Sequence, residues 1–181
     1  MDYQFERRSI FLAIGIGVIV MTPFLLIFLP KYIARYLYLY NDKNTLHLLL
    51  PDGTTTLYII GLLLLASTLI LFGLRKWKFV QIITLVLSIV FFILSTMPYI
   101  SIGVDGITYR KPLNFEKHQY HWEEMVEVIR YDGFFGDGFN GYGITFQNGE
   151  TLKISEGKDF NRARSFFLNA VRDHGIEIIV K

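Results

Sequence analysis

Cysteine is absent from the sequence, and charged side chains are absent from three long stretches of it. The first absence removes disulfides, thiol nucleophiles and thiolate metal sites from the available chemistry. The second decides the class of the protein. Between Arg8 and Lys31 lie 22 uncharged residues, between Asp52 and Arg75 another 22, and between Lys78 and Asp105 a further 26. At about 1.5 Å per residue a helix of that length reaches about 33 Å, and the hydrocarbon core of a bilayer is about 30 Å thick. The stretches read as three membrane-spanning helices, over about residues 9–29, 57–74 and 79–97.

A strongly basic surface is missing too. The net charge of +2 divides into +4 for residues 1–100 and −2 for residues 101–181. A mildly acidic C-terminal half does not suit nucleic acid or anionic lipid, both of which need a basic surface, unless a local patch overrides the average. Small side chains suited to signal cleavage are lacking after the first apolar run, which is longer than the usual signal segment; it reads as a retained helix. No ionisable group lies inside the spans. Their polar residues are Thr22, Ser67, Thr68, Gln81, Thr84, Ser88, Ser95 and Thr96, groups that join helices rather than relay protons or ions. The spacing of Ala13 and Gly17 around Gly15 permits close helix approach and is compatible with a homo-oligomer.

What is present falls into two parts. Residues 1–98 form an anchor: Pro23 kinks the first span, and Arg75-Lys76-Trp77-Lys78 turns spans two and three into an antiparallel hairpin. Segment 31–56, with Tyr32, Tyr36, Tyr38 and Tyr40, reads as a stretch lying at the level of the lipid headgroups, where aromatic rings are favoured. Three spans place the termini on opposite sides. The Lys/Arg count gives five residues on one side against six on the other, which leaves both orientations open.

From Pro98 the periodicity becomes two. Ile100, Ile102 and Val104 alternate with polar or small residues, and Asp105-Gly106 turns the chain into Ile107-Thr108-Tyr109. Strands follow near 117–121 and 125–131, and Asn148-Gly149 joins Tyr142/Ile144/Phe146 to Leu152/Ile154 as a hairpin. Phe160, Ala163, Phe167, Ala170 and Val171 form the apolar stripe of a helix over 159–174, with Gly175 at its C-terminal cap and a closing strand over 176–180. Residues 99–181 are thus an α+β domain of six antiparallel strands and a helix.

Three groups of residues, carried by Ile102-Gly103-Val104-Asp105-Gly106-Ile107, Tyr120-His121-Trp122-Glu123-Glu124-Met125-Val126 and Gly143–Ile154, give this domain an order of elements that resembles bacterial pleckstrin-homology-like (PH-like) domains on short membrane anchors. The resemblance implies an antiparallel half-barrel capped by its C-terminal helix, a role in interaction or scaffolding at the plasma membrane, and no catalytic residues or cofactor. The third span and the strand after Gly175 depart from the family's usual plan.

His118, His121 and Glu124 have metal-ligand chemistry. On a strand, however, residues three apart face opposite ways, so only a helical turn brings the two imidazoles together. The other unusual segment is 131–143, with five glycines and Phe134, Phe135, Phe139 and Tyr142 among them. It lacks the Lys-Ser/Thr of a phosphate loop and the acidic spacing of a calcium loop. Its aromatics either fold onto the barrel or form an apolar tip for a protein partner, a second copy or the bilayer. Arg162, Arg164 and Arg172 read as a solvated helix face. With no nucleophile–base pair or paired carboxylates, the leading expectation is a non-catalytic interaction domain. The alternatives are a lipid- or ligand-sensing domain using the aromatic loop and a metal-dependent enzyme using His118, His121 and Glu124.

Overall fold

The computed structural model describes residues 3–39, 44–51, 53–74, 77–112, 114, 116–133 and 139–180. The chain divides into two compact units, residues 1–33 with 53–97 and residues 34–52 with 98–181.

The first unit holds helices α1 (Tyr3–Ala34, whose last residue belongs to the second unit), α2 (Thr54–Leu74) and α3 (Lys78–Thr96). All three are long and apolar enough to cross a membrane. In hydrocarbon each backbone group must be satisfied within its own helix, which is why uncharged runs of this length fold so. The polar residues of the spans join α2 to α3. Thr68 Oγ1 donates to Thr84 Oγ1 at 2.8 Å, Gln81 Nε2 to the Leu71 carbonyl at 2.8 Å, and Ser88 Oγ to the Gly61 carbonyl at 2.9 Å. Residue numbers rise on one helix as they fall on the other, so α2 and α3 form an antiparallel hairpin. Arg75 and Lys76 of the expected turn lie outside the described residues. Trp77 starts α3 with a left-handed φ of 61°, a conformation that bulky residues rarely adopt. Gly15 serves within the chain. A Cβ there would stand 2.9 Å from Ile70 Cγ1 and 3.2 Å from the Ala66 carbonyl, so the missing side chain lets α1 approach α2.

The second unit is built from strands β1 (Thr45–Leu49), β2 (Tyr99–Gly103), β3 (Gly106–Arg110), β4 (His118–His121), β5 (Met125–Tyr131), β6 (Gly141–Phe146), β7 (Thr151–Ser155) and β8 (Ile178–Val180), with helix α4 (Lys158–Asp173). One antiparallel sheet runs β1-β2-β3-β4; the other runs β7-β6-β5-β8. A 3-10 turn, Trp122–Glu124, carries the chain between them.

The fold differs from the sequence expectation in two places. The described residues of segment 31–56 are mostly helix and strand rather than loop. A π-helical turn over Arg35–Leu39 follows α1, and β1 then pairs antiparallel with β2, Leu49 opposite Ile100 and Thr45 opposite Gly103. Tyr38, expected among lipid headgroups, stacks on Tyr99 at 4.0 Å. The reason is edge chemistry. Without β1, β2 would leave a row of buried backbone donors and acceptors unpaired. Gly103 allows the approach, because a Cβ there would collide with the Asn44 carbonyl. The second difference is β8, which runs parallel to β5, with Val128 opposite Ile178. Helix α4 supplies the crossover that a parallel pair requires.

The core of this unit lies between the sheets and under α4. Trp122, Tyr109, Tyr142, Phe146, Phe160, Phe167 and Val171 are all nearly inaccessible to solvent. Trp122 donates its indole N–H to the Val104 carbonyl at 2.8 Å, so its polar atom is satisfied inside the core. The stripe expected on α4 is the buried one. Gly175, at φ 69°, ends the helix, and the Ile176 N–H donates to the Val171 carbonyl at 3.0 Å, closing a Schellman-type cap.

Two outcomes follow from these pairings. Leu49→Ala, four residues ahead of Gly53, is expected to destabilise the sheet unit by about 2–5 kcal/mol, as for any buried leucine. The measurement is loss of hydrogen-exchange protection in residues 99–110 of the full chain; unchanged protection would contradict β1's place in the core. In cells, single cysteines at Lys76 and at Glu116 are expected to label from opposite sides of the membrane with an impermeant maleimide. The absence of native cysteine makes that readout unambiguous.

Candidate functional site

Alternation along β3 and β4 brings three ring-bearing residues to one face. Tyr109 sits directly opposite His118 in the ladder, and Tyr120 lies two residues further along β4. The Tyr109 and His118 rings stack at 5.1 Å, and Tyr120 stacks at 3.9 Å on Phe146 of the other sheet. Beyond Phe146 the β6–β7 hairpin turns through Asn148-Gly149. Asn148 Oδ1 accepts from the Glu150 N–H at 2.9 Å, and Gly149 has a left-handed φ of 81°. That turn delivers the Glu150 carboxylate to the row of rings.

Three donors meet there. Glu150 accepts from Tyr120 Oη at 2.6 Å, Lys111 Nζ at 3.0 Å and Tyr109 Oη at 3.2 Å, and His118 Nδ1 lies 3.1 Å from the same carboxylate. Asn148 Nδ2 donates to Tyr120 Oη at 2.7 Å. The Tyr120 hydroxyl, followed by the Lys111 ammonium, holds the Glu150 carboxyl down to about 2. Burial pushes the phenols of Tyr109 and Tyr120 up, and the Glu150 charge adds to the effect. A carboxylate this well supplied with donors is a poor base at neutral pH. It acts as a polar tie between β3, β4 and the β6–β7 turn.

The sequence-derived metal candidates do not converge. His118 is drawn into this cluster, His121 points away and is exposed, and Glu124 Oε2 accepts from the His121 N–H at 2.7 Å to cap the 3-10 turn. Among the described residues, no three His, Asp or Glu side chains are grouped to hold a metal ion.

The aromatic candidates separate as well. Phe134 and Phe135 lie outside the described residues. Tyr142, 1% exposed, is a core residue tilted against Phe160 at 5.1 Å and edge-on to Phe167 at 5.6 Å, so it is unavailable to a partner. Alternation explains this: Tyr142 shares the inward face of β6 with Ile144 and Phe146. Phe139 lies over Gly141, where any Cβ would strike its ring and the Ile154 carbonyl, and it meets Tyr131 edge-on at 5.8 Å.

Phe139 also borders a cleft of about 380 Å³ that sequence reasoning missed. It opens between β1 and β7, the terminal strands of the two sheets, and ends at the first turn of α4. Leu49, Ile100, Ile154 and Phe160 contribute its apolar lining. Lys153 and Lys158 stand on its border, and Lys153 Nζ lies 5.6 Å from the Phe139 ring centre and 5.8 Å from that of Tyr131. No sequence signal marks the cleft, because one of its walls is β1.

The chain matches no protein-family model and no curated protein.

The Glu150 tie has a pH signature. A carboxyl whose folded value is below its ordinary 4.5 adds stability that is fully present above that value and is lost as pH falls towards about 2. Thermal unfolding of the detergent-solubilised chain is expected to weaken across that window. Glu150→Gln is expected to flatten the dependence; an identical slope in wild type and variant would exclude the tie.

Proposed function

We propose that this is a non-catalytic, membrane-anchored interaction protein, with a PH-like domain held against the plasma membrane to bind a protein partner or a second copy of the chain. The observation that carries the reading is the order of strands and spans. β1 precedes the α2–α3 hairpin and β2 follows it, so the chain crosses between the two units at three places: 33/34, 52/53 and 97/98.

Three short tethers hold a domain far more closely than one flexible linker. They limit how far it can move from the bilayer, which raises the effective concentration for a partner in the same membrane. Such tethering favours recognition and adds nothing to turnover of a soluble substrate. The antiparallel meander, the buried Trp122 and the α4 stripe over the core support the PH-like assignment. The candidate contact residues are Phe134, Phe135 and Phe139.

The test is cross-linking in living cells with a photoreactive residue at position 134 or 135 and, for comparison, at position 117. The expected result is one discrete protein adduct, either a partner or a second copy, from 134 or 135 and none from 117. Indistinguishable adduct patterns from all three positions would overturn the reading.

A further inference from the structure

We infer that the cleft between β1 and β7 binds an anionic phospholipid of the adjacent leaflet, with its phosphate between Lys153 and Lys158 and part of an acyl chain against the half-buried Leu50, Pro51 and Phe139. The inference rests on the reading of the sheet unit as a binding domain held at the membrane.

Size and chemistry come first. A volume of about 380 Å³ falls within the range of small-molecule sites, roughly 300–1,000 Å³. About half of the lining surface is apolar and two lysines stand beside it, which is the polarity of an amphiphile with a negative head. Lys153 is held in place by the rings of Phe139 and Tyr131. Lys158 occupies the first position of α4, where a cation opposes the helix dipole. Among the described residues Lys158 makes no ion pair. The carboxylates nearby in sequence do not cancel this charge. Glu156 is paired to Arg164 at 2.9 Å, and Asp159 is one carboxylate against two ammonium groups. Gly157 precedes the helix without a side-chain cap, so its partly positive end adds to the same border.

Chain reach supplies the occupant. Leu50 and Pro51 line the cleft and lie within four residues of Thr54, the start of a span. Four residues extend at most about 14 Å, which bounds the distance of Leu50 and Pro51 from the start of the span. The supply of anionic amphiphile within that distance is the leaflet itself. A lysine near such a surface contributes attraction, and burial of methylene groups adds to it.

The test uses the full chain, purified from membranes into a mild detergent after exchange into vesicles of phosphatidylcholine alone or mixed with phosphatidylglycerol. Retained lipid is counted by native mass spectrometry. Wild type is expected to retain one phosphatidylglycerol and to leave phosphatidylcholine behind. K153E/K158E is expected to lower retention at least tenfold, given about fivefold per lysine, with K117E as the control for general surface charge. Ser155→Trp fills the cleft without altering charge and is expected to lower retention as well. Equal loss in K117E, or full retention in Ser155→Trp, would reduce the effect to surface attraction and overturn the proposal. Displacement by free glycerol phosphate at matched concentration would mark a phosphate site without an acyl subsite and overturn it too, as would displacement by a phosphopeptide. Failure here with the adducts from positions 134 and 135 intact rejects the lipid and keeps the interaction domain; loss of the adducts in wild type rejects the domain reading itself.

Discussion

The pairing of β1 with β2 is the contact on which the rest of the molecule depends. Its two strands are separated in sequence by 49 residues that enter and leave the apolar phase, yet they exchange backbone hydrogen bonds as neighbours in one sheet. The connection between the two strands consists largely of the α2–α3 hairpin, so the sheet unit and the hairpin share one closed loop of chain. The hydroxyl and amide bonds of Thr68, Gln81 and Ser88 therefore bear on the sheet indirectly. They fix the hairpin, and the hairpin returns the chain to where β2 can meet β1. Loop-closure entropy is lowered by a preformed connector, which is one physical use for two spans in the middle of a β domain.

The interior of the sheet unit is held by two kinds of force in different places. Under α4 the packing is apolar and aromatic, with Trp122, Phe160 and Tyr142 each against Phe167. Near the β6–β7 turn the rings acquire polar ends, and Glu150 gathers the donors of Tyr109, Tyr120 and Lys111, with His118 beside it. The carboxylate satisfies hydroxyls that would otherwise be costly to leave unpaired near the core. In this cluster the two phenols and the ammonium answer one carboxylate, although the buried His118 Nε2 has no hydrogen-bond partner among the described residues. The cleft at β7 is the opposite case, a border with more positive charge than its own carboxylates balance. Unsatisfied charge beside apolar volume is a property of binding surfaces, and it separates the two features more clearly than burial does.

Two glycines show how backbone proximity shapes both regions. Gly103 admits the Asn44 carbonyl and with it the start of β1; Gly141 admits the Phe139 ring and so forms one wall of the cleft. In each case a methyl group would occupy the place of the neighbour. Such positions are invisible to hydrophobic periodicity, which reports which face a residue takes and not how near another segment lies.

The sequence by itself determined the three apolar helices, the hairpin of the last two, the strands from Tyr99 to Ser155, the inward face of α4 and its glycine cap. Each follows from a local rule: length without charge, a period of two or 3.6, or a residue suited to a left-handed turn. It left convergence of His118 and His121 open to a helical turn, and the strand over His118–His121 decides against it. Only the tertiary structure decided that Thr45–Leu49 is a strand, that Ile178–Val180 runs parallel to β5, that Tyr142 is core, and that Glu150 and the β1–β7 cleft exist. These are non-local. Leu-His-Leu-Leu-Leu reads equally as the approach to a span or as a sheet edge, and what selects the second is a partner strand on the far side of the hairpin, which no window along the chain contains.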